Sequence, residues 1–498
     1  MKERLPKDEF FEAMAQQHIT LTFDDVRLKT GHAKVMPADV FLETKFSRNI
    51  TLQVPFVSAA MDTVTEYRMA IEMARLGSLG IIHRNLSPEE QAAQVGKVKH
   101  CLHGLIPRPI TVHEGDTIES ILHFREEKGY GFQTFPVLDN DGKFVGILTG
   151  NDFDLCDSYS QTAGEVMTKT AVTAPPGISS DKAYAIMQKE RKKVLPLLSE
   201  DGTLVGMYTW KDLQRMKKEN KDYTVDCNGQ LRVGAAIGTG EEALLRVEKL
   251  LDEQVDVVVI DSAHADSLPV LETITEIKRR YGSLELVAGN ISEADSVGRL
   301  LDAGVDGIKI GQGGGSICTT RIVAGIGCPQ VTAVYQCARV SYVPVCSDGG
   351  IRYSGDIPIA LGAGADCVML GKMFAGTDEA PGEVVLWKGR QWKAYRGMGS
   401  LGAMEQHAGS RDRYTQSAGS PLVPEGVEGV EPYKGKLQST ILQLLGGLRK
   451  GMGYVGAASI TELQRKADFR RLTSAGQEES HPHDIEITAD APNYQGRK

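Results

Sequence analysis

A chain of 498 residues is too long for one ordinary core, so two or more domains are expected. Its 41% hydrophobic and 24% charged residues suit a globular protein, and 56 basic against 65 acidic residues, net −9, argue against a general nucleic-acid binder. The charged start over 1–9 does not read as a signal peptide, no apolar run reaches membrane-spanning length, and eight scattered Cys form no C-x-x-C pair. Together these features predict reduced thiols and a cytoplasmic location, with neither a disulfide framework nor a zinc site.

Eight short apolar segments predict strands over 52–59, 78–83, 231–237, 255–261, 284–288, 306–310, 343–347 and 367–370. From the third onward they alternate with amphipathic stretches. Leu244, Leu245, Val247, Leu250 and Leu251 recur at helical spacing over 241–253, as do Val297, Leu300 and Leu301 over 294–303. Strand–helix alternation implies a parallel sheet. Eight strands predict an α/β protein with a (β/α)8 TIM barrel; a doubly wound sheet is the alternative that pattern leaves open.

The gap between the second and third strands holds an internal repeat. Phe135-Pro136-Val137-Leu138, Asp141-Gly142 and Val145-Gly146 return as Leu195-Pro196-Leu197-Leu198, Asp201-Gly202 and Val205-Gly206. Each copy reads as strand, Asp-Gly hairpin, strand, helix. The organisation expected is 1–94 barrel, 95–225 an inserted α+β module of two similar halves, and 226–498 barrel again. Each copy ends a strand in Thr-x-x-Asp, Thr149 with Asp152 and Thr209 with Asp212. Such pairs suit a ribose; the plainer reading is a helix N-cap.

In a barrel, functional residues gather where strands end at the C-terminal face. Polar residues or glycines follow six of the predicted strands, among them Asp261, Asn290, Asp348 and Gly371. The sixth runs into Gly311-Gln312-Gly313-Gly314-Gly315-Ser316-Ile317-Cys318. Successive glycines expose N–H groups that suit phosphate, and a thiol beside them is a candidate nucleophile. The competing reading is an inert thiol next to a tight turn. Asp348 suits ribose hydroxyls, and Gly349, Gly350 and Gly371 suit a phosphate. Beyond a second glycine cluster, 397–402, the stretch 407–436 is polar with little periodicity. It reads as a mobile flap, about 400–436, or as disorder.

Several long motifs make the chain resemble the IMP dehydrogenase family, nearly end to end. They are Leu21-Thr22-Phe23-Asp24-Asp25-Val26, Ser58-Ala59-Ala60-Met61-Asp62, Gly315-Ser316-Ile317-Cys318-Thr319-Thr320-Arg321, Asp348-Gly349-Gly350-Ile351-Arg352, Tyr395-Arg396-Gly397-Met398-Gly399 and Glu479-Ser480-His481-Pro482-His483-Asp484. The inserted repeat resembles the tandem CBS (Bateman) module that the family carries at this place.

The resemblance implies NAD-dependent oxidation of IMP to xanthosine monophosphate through a covalent adduct on Cys318, with Arg413, Tyr414 and Thr320 serving its hydrolysis. It implies IMP contacts from Ser316, Asp348, Gly349, Gly350, Gly371, Tyr395, Gly397, Met398, Gly399 and Glu425. Asp261, Asn290, Gly311, Gln312 and Gly313 would meet NAD. Carbonyls of Gly313, Gly315 and Cys318 would bind a monovalent cation, K+, completed by Glu479, Ser480 and His481 from a neighbouring subunit. A homotetramer follows, with an octamer and purine nucleotides on the CBS module as further expectations.

The chain departs from the family pattern at Gln312 and Gly314, where Ile and Pro are usual, and at Lys372, where Ser is usual. Losing Pro is expected to loosen the turn, and Lys372 offers phosphate a charge in place of a hydroxyl. Two rivals remain: a GMP reductase using NADPH, and a catalytically inactive nucleotide sensor.

Overall fold

The computed structural model describes residues 4–494 apart from 103–104, 107–108, 128–131, 212, 215–221, 415–420 and 490. Two compact units emerge, Met1–Lys99 with Asp222–Lys498, and His100–Lys221.

The first unit holds eight parallel strands: β1 (Phe56–Ser58), β2 (Leu79–Ile82), β3 (Gly234–Ile237), β4 (Val257–Asp261), β5 (Glu285–Ile291), β6 (Gly307–Ile310), β7 (Val345–Asp348) and β8 (Cys367–Leu370). They form a closed barrel, with β8 pairing β1 through Val368↔Phe56, Met369↔Val57 and Leu370↔Ser58. That closure gives the TIM barrel and removes the edges a doubly wound sheet would keep. Alternate residues share one buried cluster, as the pleat requires: Val57 with Ala59, Val257 with Val259, Cys367 with Met369.

Helices Gly240–Asp252 and Ala294–Ala303 bury Val247 and Leu250, and Val297 and Leu300. Leu245 is exposed, so the five-residue stripe read from sequence is wider than the face that packs. The run 52–59 is not one strand. Thr51–Leu52 pairs with Thr44–Lys45, and β1 starts only after Pro55, which has no N–H for a ladder.

In the second unit the repeat is visible in the backbone. Phe135–Leu138 pairs with Phe144–Leu148, and Val194–Leu198 with Leu204–Thr209, both antiparallel. The register slips between Val137 and Leu138 in one copy and between Leu197 and Leu198 in the other, the same step of each. The two turns meet where Lys143 bridges Thr203 and its Nζ lies 2.7 Å from Asp201 Oδ2.

Thr149 caps helix Gly150–Asp154, and Asp152 Oδ2 accepts from the Thr149 N–H (2.6 Å) and hydroxyl (2.7 Å). The first Thr-x-x-Asp pair is thus a capping box in this chain. Thr209 ends its strand, and Asp212 lies outside the described residues. Among the described residues no helix is long and apolar enough to cross a membrane.

Candidate active site

A cavity of about 380 Å³ opens at the C-terminal ends of the barrel strands. Its walls include Asp261, Asn290, Gly311, Gln312, Gly313, Gly315, Ser316, Cys318, Thr320, Asp348, Gly349, Gly350, Gly371, Lys372, Tyr395, Gly397, Met398, Arg413, Tyr414 and Glu425. These residues come from β4, β5, β6, β7 and β8 and from the segment beyond the barrel, so closure brings together positions up to 164 apart in number, Asp261 to Glu425. Gly399 lies behind the wall, beneath the Tyr414 ring. Glu479, Ser480 and His481 do not line it. They sit at and after the end of helix Ser474–Glu479, where Ser480 Oγ donates to the Gly476 carbonyl and His481 Nδ1 is 3.0 Å from the Tyr494 hydroxyl.

The Cys318 loop is tightly made. Gly311 has φ 142°, and a Cβ there would fall 2.1 Å from the Asp348 carbonyl, so only glycine lets the loop cross the end of β7. The Cys318 N–H donates to Gly315 O at 3.1 Å, and its half-buried Sγ lies 3.1 Å from Thr320 Oγ1. A strand-like segment crosses over this turn. Thr319 N–H donates to Glu425 O (3.0 Å), Val427 N–H to Ile317 O (2.9 Å), and Glu425 N–H to Gly399 O (3.0 Å).

The loosening expected from Gly314 is opposed by two neighbours. Gln312 Nε2 donates to the Ala263 carbonyl (3.0 Å) and lies 3.2 Å from His264 Nδ1, while its Oε1 accepts from Ser292 Oγ (2.7 Å). Arg321 Nε donates to the Gln312 carbonyl (3.0 Å) and its Nη2 to that of Cys328 (2.5 Å). Across the cavity Gly371 precedes helix Lys372–Ala375, and a Cβ on it would come 3.0 Å from the Tyr395 hydroxyl. Burial raises the Tyr395 pKa, while a hydrogen bond with Ser316 lowers it.

Sequence reading missed the residue at the centre of the charges. Lys309 of β6 is buried, and its ammonium donates to Asp261 Oδ1 (3.0 Å), Asp348 Oδ2 (2.7 Å) and Asn290 Oδ1. Asn290 Nδ2 also donates to Asp348 Oδ2 (2.9 Å) and to the Gly311 carbonyl (2.6 Å). The other Asp261 oxygen pairs with Arg413 Nη1, whose side chain is 14% exposed. Loss of water lowers the Arg413 pKa, the Tyr414 phenol raises it, and nearby Arg84 lowers it further.

Of the expected flap, 415–420 lie outside the described residues, and the described part of 407–436 has more regular structure than its composition implied. It carries helix Ala408–Arg413 and strand Glu428–Pro432, which pairs with Arg390–Arg396. Two residues just past β2 hold that helix: Arg84 Nη1 is 2.6 Å from Asp412 Oδ2, and Asn85 Nδ2 donates to Ser410 Oγ at 3.0 Å. Neither was singled out from sequence, because their partners lie more than 300 positions away.

Comparison with known proteins agrees with this geometry. Residues 20–483 match the family model described as IMP dehydrogenase / GMP reductase domain. The inosine-5'-monophosphate dehydrogenase of Aquifex aeolicus is 49% identical over 483 residues, covering 95% of this chain and 97% of the relative. That of Bacillus subtilis is 46% identical over 480 residues, covering 95% and 97%. Among solved structures, the C318A variant of GMP reductase from Trypanosoma brucei in complex with guanosine 5'-monophosphate is 41% identical, with a TM-score of 0.84 over 94% of this chain and 98% of that one. On its sequence, its closed barrel and its Cys318 loop, the chain belongs to the IMP dehydrogenase / GMP reductase family.

Proposed function

We propose that the chain oxidises IMP to xanthosine monophosphate with NAD, through a covalent thioimidate on Cys318, within guanine nucleotide synthesis. One observation carries the choice of reaction. Arg413 and Tyr414 line the same cavity as Cys318. They serve a hydrolytic step that a GMP reductase, which releases ammonia, does not have.

In this reading the Cys318 thiolate forms a bond to C2 of the purine, and a hydride leaves C2. Bound NAD supplies the hydride acceptor. Water then attacks C2, Arg413 takes its proton, and the C–S bond breaks to return the thiolate. An arginine is ordinarily protonated throughout; its burial here lowers that affinity, the direction a base requires. Thr320, 3.1 Å from the sulfur, assists.

Asp348 would hold the ribose, and Ser316, Gly349, Gly350, Gly371, Lys372 and Tyr395 the phosphate, with Gly397, Met398 and Glu425 about the base and Gly399 behind them, under Tyr414. Asp261, Asn290 and Gly311–Gly313 would meet the cofactor. Arg413 and the cofactor therefore compete for Asp261, and the flap seats after NADH has left. Carbonyls of Gly313, Gly315 and Cys318 would supply the oxygen donors that suit K+. Glu479–His481 would complete that site across a homotetramer, two of which would make an octamer.

The unit His100–Lys221 is proposed as a tandem CBS module that takes purine nucleotides, supported by its matched hairpins. Location in the cytoplasm is the matching proposal. Calorimetry of the whole chain with ATP, ADP or GTP tests the module: no heat of binding with any of them removes it.

The reaction is tested by adding IMP and NAD, following NADH, and weighing the acid-quenched protein. NADH with a purine adduct on Cys318, absent from C318A, is expected. NADPH-dependent loss of GMP without NADH formation assigns the chain to the reductase reaction that the Trypanosoma brucei neighbour is named for. Nucleotide binding with neither turnover nor adduct makes it a sensor.

A further inference from the structure

We infer that Lys309 is a positioning residue for hydrolysis, which keeps Arg413 from holding its proton by occupying one oxygen of their shared partner, Asp261. The inference rests on the dehydrogenase reading above. An arginine beside a free carboxylate normally takes both oxygens with its planar fork, a geometry that binds the protonated guanidinium strongly. Here Oδ1 of Asp261 accepts from Lys309, 3.0 Å away, and Arg413 pairs through Nη1 with Oδ2.

Lys309 itself is saturated. Its three N–H donors meet Asp261, Asp348 and Asn290, so no donor is left for another group. Lys309 thus has Asp348 besides Asp261, whereas the Asp261 that Arg413 meets is shared. The other groups around Arg413 are the Tyr414 phenol on its own segment and Arg84 beyond β2, whose charge is answered by Asp412. Cys318 and Glu425 face Tyr414.

Removing the Lys309 charge leaves both oxygens of Asp261 to Arg413. The guanidinium gains the second oxygen, holds its proton more tightly, and the hydrolytic step needs a higher pH. Hydride transfer at Cys318 does not use this proton, so the two half-reactions separate.

The experiment compares wild type, Lys309→Met, Lys309→Gln and Lys309→Arg at saturating IMP and NAD across pH. It reads the NADH burst, the steady-state rate and the fraction of Cys318 held as adduct in acid-quenched protein. In Lys309→Met the hydrolytic limb is expected to move up by about one pH unit, with about tenfold slower hydrolysis at neutral pH. The adduct accumulates while the burst persists.

Lys309→Gln keeps hydrogen bonding without charge and repeats the test if Met is not accommodated. Lys309→Arg is expected to restore the wild-type limb. An unmoved pH limb in both neutral variants, with burst and turnover falling together, overturns the inference and leaves Lys309 structural. Wild type that forms no NADH from IMP instead overturns the functional reading, before any variant is compared.

Discussion

The Tyr414 ring lies against the backbone of Gly399, so closely that a Cβ at 399 would fall 2.5 Å from the ring. Gly399→Ala therefore displaces Tyr414, and Arg413 moves with it. Misplacement by about an ångström near the chemistry costs on the order of 100-fold. Rapid-mixing kinetics should show a retained NADH burst and a steady-state rate lower by about 10- to 100-fold. Equal loss of both phases would mean that Tyr414 serves the first step as well.

Asp412 holds the Arg413 helix to Arg84, whose side chain is 4% exposed against 52% for Asp412. Asp412→Asn keeps the shape and removes the charge. A half-exposed pair contributes little, about 1 kcal/mol or less. If NAD takes Asp261 as proposed, it contends there with Arg413, and weaker seating should lower KM for NAD by about 2- to 5-fold and lower kcat. Steady-state kinetics at varied NAD check this, and a raised KM counts against the competition.

Gln312→Ile takes the family's usual residue into a site built for an amide. It leaves the Ser292 hydroxyl and the Ala263 carbonyl without the partners they have here. Loss of such buried partners costs about 1–3 kcal/mol. Differential scanning calorimetry should show a lower Tm for the barrel transition; an unchanged or raised Tm would mean that the apolar contacts of Ile compensate.

Lys7, on helix Pro6–Gln16, is buried and donates to the carbonyls of Gly362 (2.7 Å) and Gln464 (2.9 Å). Burial pulls its pKa from 10.5 to about 8, against the opposing charge of Asp8. The unfolded chain thus binds this proton more tightly, and stability rises as pH climbs from about 8 to 10.5. Below pH 8 the penalty is present in full. Lys7→Met lacks this dependence, so thermal melts at pH 7.5 and pH 10 should show wild type gaining on the variant. Parallel shifts in both proteins would contradict it.

The barrel was legible because strands buried on both faces leave continuous apolar runs. Strand ends were legible because polar groups cluster there: Asp261, Asn290 and Asp348 all reach the cavity. Lys309 was not, since it sits inside the run 306–310, one position out of phase with Ile308 and Ile310. A lysine within a strand whose neighbours are both buried was the available signal, because burial of an ammonium demands paired acceptors. Arg84 and Asn85 carried no local signal, as only the fold brings them to Asp412 and Ser410. Thr149 and Asp152 show the reverse limit: local rules described the cap, and a capping box is what formed.

The pairing of Ile81 with Gly234 joins strands that neighbour each other in the barrel, yet the unit His100–Lys221 lies between them in the chain. During synthesis β2 must wait while the whole insertion is made, roughly 6 to 24 seconds at about 5–20 residues per second. The barrel cannot close until then, and β1 waits longer still for β8. Loop entropy grows only logarithmically with length, about 0.6 kcal/mol per doubling, so the insertion delays assembly far more than it weakens the product. Shortening the insertion should therefore speed the appearance of closed barrel more than it raises its final stability.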